Sequence, residues 1–172
     1  MSFDGTNDYV ELPATLEETV WTCAIWLGDY TEGSFDFIIG EDSNKNIGLQ
    51  NDQDSTYKIF FRANNSDYYD FDPNITTFTE YKRFVWTSDG TNVYLYIDGV
   101  FISNATNTEG EIPSDTTLKV RRIMAGYSTS THLVQGKASD FQFYDSCWTA
   151  NDAYLDYTYP NELLIDAGGS VA

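Results

Sequence analysis

Arg83-Phe84-Val85-Trp86-Thr87-Ser88-Asp89-Gly90-Thr91-Asn92-Val93-Tyr94-Leu95-Tyr96-Ile97-Asp98-Gly99-Val100 decides the fold. Phe84 and Trp86 share one parity, and Val93, Leu95 and Ile97 alternate with Tyr94 and Tyr96. Period two is the signature of a strand with a distinct side chain on each face. Ser88-Asp89-Gly90-Thr91-Asn92 breaks the run once. Asp98-Gly99 breaks it again, with only two residues between apolar segments. That dipeptide suits a hairpin turn in which both central residues need positive φ. The stretch therefore predicts a meander of three strands, 82–87, 92–97 and 100–103. Both faces of the middle strand are bulky, so both should be covered.

The same grammar runs outward from this meander. Trp21, Cys23, Ile25 and Leu27 alternate in a strand read at 20–28. Further strands are expected near 8–12, 35–40, 46–50, 56–62, 67–71, 118–125, 132–135 and 137–145. Polar turn clusters separate most of them, as in Gly40-Glu41-Asp42-Ser43-Asn44 and Asn64-Asn65-Ser66. Short strands at this spacing call for an all-β, antiparallel two-sheet sandwich. Thr149-Ala150-Asn151-Asp152 reads as a capping-box variant that opens one short C-terminal helical turn, with Pro160 past its end. One domain spans 1–160, and 161–172 is a small, Gly-containing C-terminal extension. At 172 residues the chain can bury a sizeable core.

Five segments, in order, resemble the laminin-G-like, concanavalin-A-like jelly-roll family. They are Phe3-Asp4-Gly5-Thr6-Asn7-Asp8-Tyr9-Val10, Trp21-Thr22-Cys23-Ala24-Ile25-Trp26, Phe37-Ile38-Ile39-Gly40 with Ile47-Gly48-Leu49, the meander above, and Gly136-Lys137-Ala138-Ser139-Asp140-Phe141-Gln142-Phe143-Tyr144. Two departures stand out. Thr87 follows Trp86 where the family usually has His, and Arg122-Ile123-Met124-Ala125-Gly126 matches the usual Ile-Gly only loosely. The resemblance implies two facing sheets and a largely non-catalytic role. It also implies a structural calcium held by Asp4, Asp8 and Asp140, because it sets the opening and closing strands side by side. The competing reading gives those carboxylates to turns or to solvent.

The residues argue against several chemistries. The chain carries 27 acidic and 9 basic residues, a net charge of −18, which opposes nucleic acid and anionic lipid. No run reaches the roughly 20 apolar residues of a membrane span. No Glu-x-Asp-x-Glu or Glu-x-Asp-x-x-Glu segment supplies a glycosidase pair. Glu109-Gly110-Glu111 reads as a loop, and His132, the single histidine, as a strand residue. No Gly-x-Ser-x-Gly elbow or phosphate-binding glycine loop occurs. Asp52 and Asp54, and Asp67, Asp70 and Asp72, read as an acidic rim. Cys23 and Cys147 are either free thiols or a single bridge.

Sugar recognition asks for aromatic platforms beside amides and carboxylates. Tyr68, Tyr69, Asn65, Asp67 and Tyr127 form one candidate set, and Tyr154, Tyr157 and Tyr159 cluster near the end. Core packing competes for the same aromatics. Met1-Ser2-Phe3-Asp4-Gly5 has neither the basic nor the apolar region of a secretory leader. The expectation is therefore a non-catalytic structural or adhesive protein on a phage virion surface, as a capsid decoration or a tail or fibre component. It would be made in the host cytoplasm and would partner other virion proteins, copies of itself or cell-surface glycans. The alternative is a secreted, extracellular carbohydrate-binding module, with or without calcium.

Overall fold

In the Asp98-Gly99 turn both residues take positive φ, 52° and 76°, and join β9 (Val93–Ile97) to β10 (Val100–Asn104). β8 (Lys82–Asp89) pairs with β9 in antiparallel register, Phe84 opposite Ile97 and Trp86 opposite Leu95. The computed structural model describes residues 1–31, 35–41, 45–51, 57–64, 68–71, 79–107, 109–125 and 133–160.

The remaining strands are β1 (Ser2–Asp4), β2 (Val10–Glu18), β3 (Val20–Thr31), β4 (Phe35–Gly40), β5 (Asn46–Asn51), β6 (Tyr57–Arg62), β7 (Tyr68–Phe71), β11 (Leu118–Ile123) and β12 (Gln135–Tyr144). One six-stranded sheet runs β1-β12-β3-β8-β9-β10, and the other runs β2-β11-β4-β5-β6-β7. The facing layers hold one core. Trp21, Ile25, Phe84, Trp86 and Leu95 from the first sheet meet Ile39, Ile47, Leu49, Ile59, Phe61 and Val120 from the second. Their alternation along each strand is what sends them inward. The Trp21 indole N–H, which would be costly to leave unpaired here, donates to the Thr116 carbonyl at 2.7 Å.

The expected strand at 8–12 starts at Val10, as the opening of the longer β2, and the residues before it form a corner. Gly5, at φ 75°, bends the chain out of β1, and β2 then begins the other sheet. The Thr6 N–H donates to Asp4 Oδ1 at 2.8 Å and the Asp4 N–H to Asp8 Oδ2 at 3.2 Å. The expected strand 137–145 is β12, which begins at Gln135 and carries a bulge between Ser139 and Gln142; of the expected 132–135, His132 lies outside the described residues and Leu133 makes only an isolated bridge to Ala125. The expected 118–125 ends at Ile123, followed by Met124 at φ 64°.

The C-terminal helix α1 (Ala150–Thr158) has nine residues rather than one turn, and it opens on the expected box. Thr149 is its N-cap, and Asp152 returns a carboxylate to the Thr149 N–H at 2.7 Å. α1 and Trp148 cover the outer face of the first sheet, over Ala24, Val85 and Tyr96. Both faces of β9 are thus covered, as its bulky alternation requires. Thr87 helps to anchor this cover. The Trp148 N–H lies 2.9 Å from Thr87 Oγ1 and 3.0 Å from Thr22 Oγ1, and the Thr22 hydroxyl donates to the Ser146 carbonyl.

Cys23 and Cys147 are free thiols. Cys23 lies in the inter-sheet core, whereas Cys147 sits beside Thr87 and Trp148 on the outer face, so the sheet separates them. Burial raises the pKa of both thiols.

Candidate functional site

Arg83 organises the outer face of the first sheet. It is fully buried, which only close pairing tolerates. Nε donates to Asp156 Oδ2 at 2.6 Å and Nη2 to Asp156 Oδ1 at 3.0 Å, a fork that pins α1 to the sheet. Nη1 donates to the Asp140 carbonyl at 2.8 Å and lies 3.2 Å from the Asp140 carboxylate. The guanidinium carbon stands 5.7 Å from the Trp26 ring centroid, within cation–π range.

These contacts shape an open groove of about 510 Å³, walled by Trp26, Tyr81, Ser139, Asp140 and Pro160. Each wall has a local cause. Trp26 sits on the outward parity of β3, opposite Arg83 on β8, and its ring leans on Tyr157 of α1 at 5.9 Å. The Tyr81 ring lies over the backbone of Gly28, where a Cβ would come within 2.9–3.0 Å of three ring carbons. Only glycine leaves that space. Tyr81 is nonetheless 46% exposed, an aromatic surface held in place but open to solvent. Asp140 occupies the β12 bulge at φ 50°, a conformation Asp tolerates better than most residues. Its two carboxylate oxygens accept from Gln142 Nε2 at 3.0 and 2.9 Å. The groove therefore offers aromatic surface, a hydroxyl and an oriented carboxylate.

The expected calcium set does not converge. β1 and β12 do pair, but Asp4 stands opposite Gln135, five residues from Asp140. That places the two about 17 Å apart along the strand. Asp4 and Asp8 cap the first corner, and Asp140 is taken up by Arg83 and Gln142. Among the described residues no group of three His, Cys, Asp or Glu side chains is placed to hold a metal. These three carboxylates do not fit a shared cation.

The expected aromatic set divides. Tyr68 is half-buried, its ring 5.5 Å from that of Phe60 and under the Arg62 guanidinium at 4.7 Å. Tyr69, its neighbour in β7, points to the opposite face and is 5% exposed in the core, so it presents no ring to a ligand. Asn65, Asp67, Tyr127 and His132, with Asp52, Asp54 and Asp72, lie outside the described residues. Of the terminal tyrosine cluster, Tyr157 reaches the groove through Trp26. Trp26, Tyr81 and Arg83 carried no distinguishing local signal as site residues, because tertiary packing alone brings them together.

With this architecture in view, a family model described as the concanavalin A-like lectin/glucanases superfamily matches residues 4–153. The chain belongs to that family, in its laminin-G-like branch, as the five segments led us to expect. No curated protein matches its sequence. Among solved structures it is similar to the heptameric SAP-like pentraxin of Limulus polyphemus, with 17% identity, a TM-score of 0.65, and coverage of 91% of this chain and 80% of that one. It is also similar to domain 4 of AbnA, an extracellular arabinanase of Geobacillus stearothermophilus solved with arabinotriose, with 16% identity, a TM-score of 0.57, and coverage of 81% and 66%. A protein of Bacteroides ovatus described as carbohydrate-binding gives 12% identity, a TM-score of 0.62, and coverage of 85% and 43%. At these identities the likeness is one of fold, and the chain spans less than half the length of the last protein.

Proposed function

We propose that this chain is a non-catalytic carbohydrate-binding domain and that a saccharide lies in the groove between Trp26 and Tyr81. The observation that carries the reading is the half-exposed Tyr81 ring lining one groove with Trp26, beside the Asp140 carboxylate held by Arg83 and Gln142. Sugar rings present flat C–H faces that suit aromatic platforms, and hydroxyls that donate to an oriented carboxylate. A preorganised carboxylate loses little entropy on binding. Calcium at Asp140 is not needed, since its oxygens already have donors. Domain 4 of the arabinanase, solved with arabinotriose, and the Bacteroides ovatus protein lend fold-level support.

The test is a glycan array read with the wild type, Trp26→Ala and Tyr81→Ala. Each substitution should weaken the wild-type hits at least tenfold, which is about 1.4 kcal/mol. Unchanged binding in both variants would remove the groove from the account.

Display on a phage particle is the second reading. It is favoured by the edge strand β10, where Val100 and Phe101 are 61% and 48% exposed. Exposed apolar side chains on an edge strand suit docking. Mass spectrometry of purified particles tests it, and absence of the protein would end it.

A further inference from the structure

The Asp140 side chain is 41% exposed, so packing alone does not fix how its carboxylate is turned. What surrounds it follows from the β12 bulge. Ser139 stands opposite Trp26 and Gln142 opposite Ala24, so three steps of β12 span two of β3, with Asp140 in the widened stretch at φ 50°. Past the bulge the ordinary alternation resumes. Phe141 and Phe143 pack towards the inter-sheet core, while Tyr144 packs on the outer cluster, its ring 4.8 Å from that of Trp148. Gln142 shares the parity of Tyr144 and so the outer face.

Three polar groups then form a line along β12. The Tyr144 hydroxyl donates to Gln142 Oε1 at 2.9 Å, and Gln142 Nε2 donates to both Asp140 carboxylate oxygens at 3.0 and 2.9 Å. The direction of the line has a cause. Burial, then the Asp156 charge, raises the Tyr144 pKa, so the phenol keeps its proton and donates. A donor at that end selects the carbonyl end of the amide and turns the NH2 towards Asp140. The reversed amide would set oxygen against carboxylate, acceptor to acceptor. Arg83 acts differently, because its Nη1 donates to the Asp140 carbonyl at 2.8 Å and only faces the carboxylate, at 3.2 Å. We propose that Gln142, oriented by Tyr144, is the positioning residue that aims the Asp140 carboxylate for a saccharide hydroxyl. The inference rests on the saccharide reading of the groove. Gln142 and Tyr144 are not among the groove walls, so they act through Asp140. A carboxylate already turned to its task gives up less freedom on binding.

The experiment reads the neutral oligosaccharides of the same array with Gln142→Met, Tyr144→Phe and Gln142→Glu in the full chain, with cooperative melting checked for each. Gln142→Met keeps the length and removes both polar ends. It should weaken the wild-type hits about fivefold, and Tyr144→Phe about twofold or more, the range of one lost hydrogen bond. Gln142→Glu sets a second carboxylate against Asp140. At about pH 8 the two repel, and at about pH 5 the pair shares one proton, which donates in place of the amide. Relative to wild type at the same pH, this variant should bind about tenfold more weakly at the higher pH and recover to within about threefold at the lower. A side chain that served only packing would show no such recovery. The charged groups around the pair are Arg83 of β8, Asp156 of α1 and the Met1 ammonium on the Ala138 carbonyl, and none of them is altered. Without any saccharide, the Asp140 carboxyl carbon resonance should move in Gln142→Met and in Tyr144→Phe. Wild-type binding in both of these variants, while Trp26→Ala weakens it, would overturn the positioning role and leave the saccharide reading standing. Gln142→Glu equally weak at both pH values, or an unmoved carboxyl resonance, would overturn it too. Failure of the saccharide reading looks different, since Trp26→Ala and Tyr81→Ala would then bind as the wild type does.

Discussion

Arg83 is the residue on which the outer face turns. It touches α1 through Asp156, β12 through Asp140 and β3 through Trp26, and it does so with no solvent exposure. Removing one member of such a buried pair strands the other. Arg83→Met should cost about 3–5 kcal/mol in urea unfolding, and adding Asp156→Leu should recover most of that loss. A single-variant cost below about 1 kcal/mol would mean that the pair does not hold the helix. A second residue-scale device is exposed. Burial alone would raise the Asp89 carboxyl, but N–H donors from Asn92 and Thr91 and the Tyr94 hydroxyl outweigh it and hold its pKa down. The same bond pushes Tyr94 up to about 12. Because the folded state keeps the phenol proton more tightly than the unfolded chain, whose tyrosine titrates near 10, this stabilisation is present below about pH 10 and lost as pH rises towards 12. Asp89 has the opposite sense: its contribution is present above about pH 4 and lost as the pH falls further. Tyr94→Phe should flatten the decline in melting temperature between pH 10 and 12. An unchanged slope would show that another group sets it.

At the scale of elements, α1 and the β12 bulge separate what sequence could reveal from what it could not. The capping box was legible because Thr149 and Asp152 are local partners, three residues apart. Thr149→Ala should cost about 1 kcal/mol and loosen the cover over Tyr96, read by amide exchange along α1. The strands and the Asp98-Gly99 turn were legible for the same reason: alternation and turn chemistry act within a few residues. The groove was not. Trp26, Tyr81 and Asp140 are 55 and 59 residues apart in succession, and only the register of β12 on β3 and of β3 on β8 brings them together. The calcium set erred for a related reason. Adjacency of β1 and β12 was correctly expected, but adjacency does not give register, and five positions of offset part the carboxylates. Tyr68 and Tyr69 were grouped by proximity in sequence, which a strand converts into opposite faces.

At the scale of the molecule, two layers share one core, and one layer carries a second, smaller cluster under its helix. That asymmetry builds the proposed site. The helix-covered sheet gains a groove at the margin of its cover, where aromatic rings stay half open and a carboxylate is fixed. The acidic surface belongs to this scale as well. A charge of −18 leaves little reason for anionic ligands to approach, so neutral saccharides should dominate the array hits, and sulfated or sialylated ones should be weak at low salt and gain as salt is raised. The most direct measurement is a heteronuclear NMR titration with the strongest neutral glycan from the array. The account predicts that the Trp26 indole N–H and the amides of Tyr81, Ser139 and Asp140 move first and saturate together. Shifts that leave these four unmoved while the glycan binds elsewhere would contradict it.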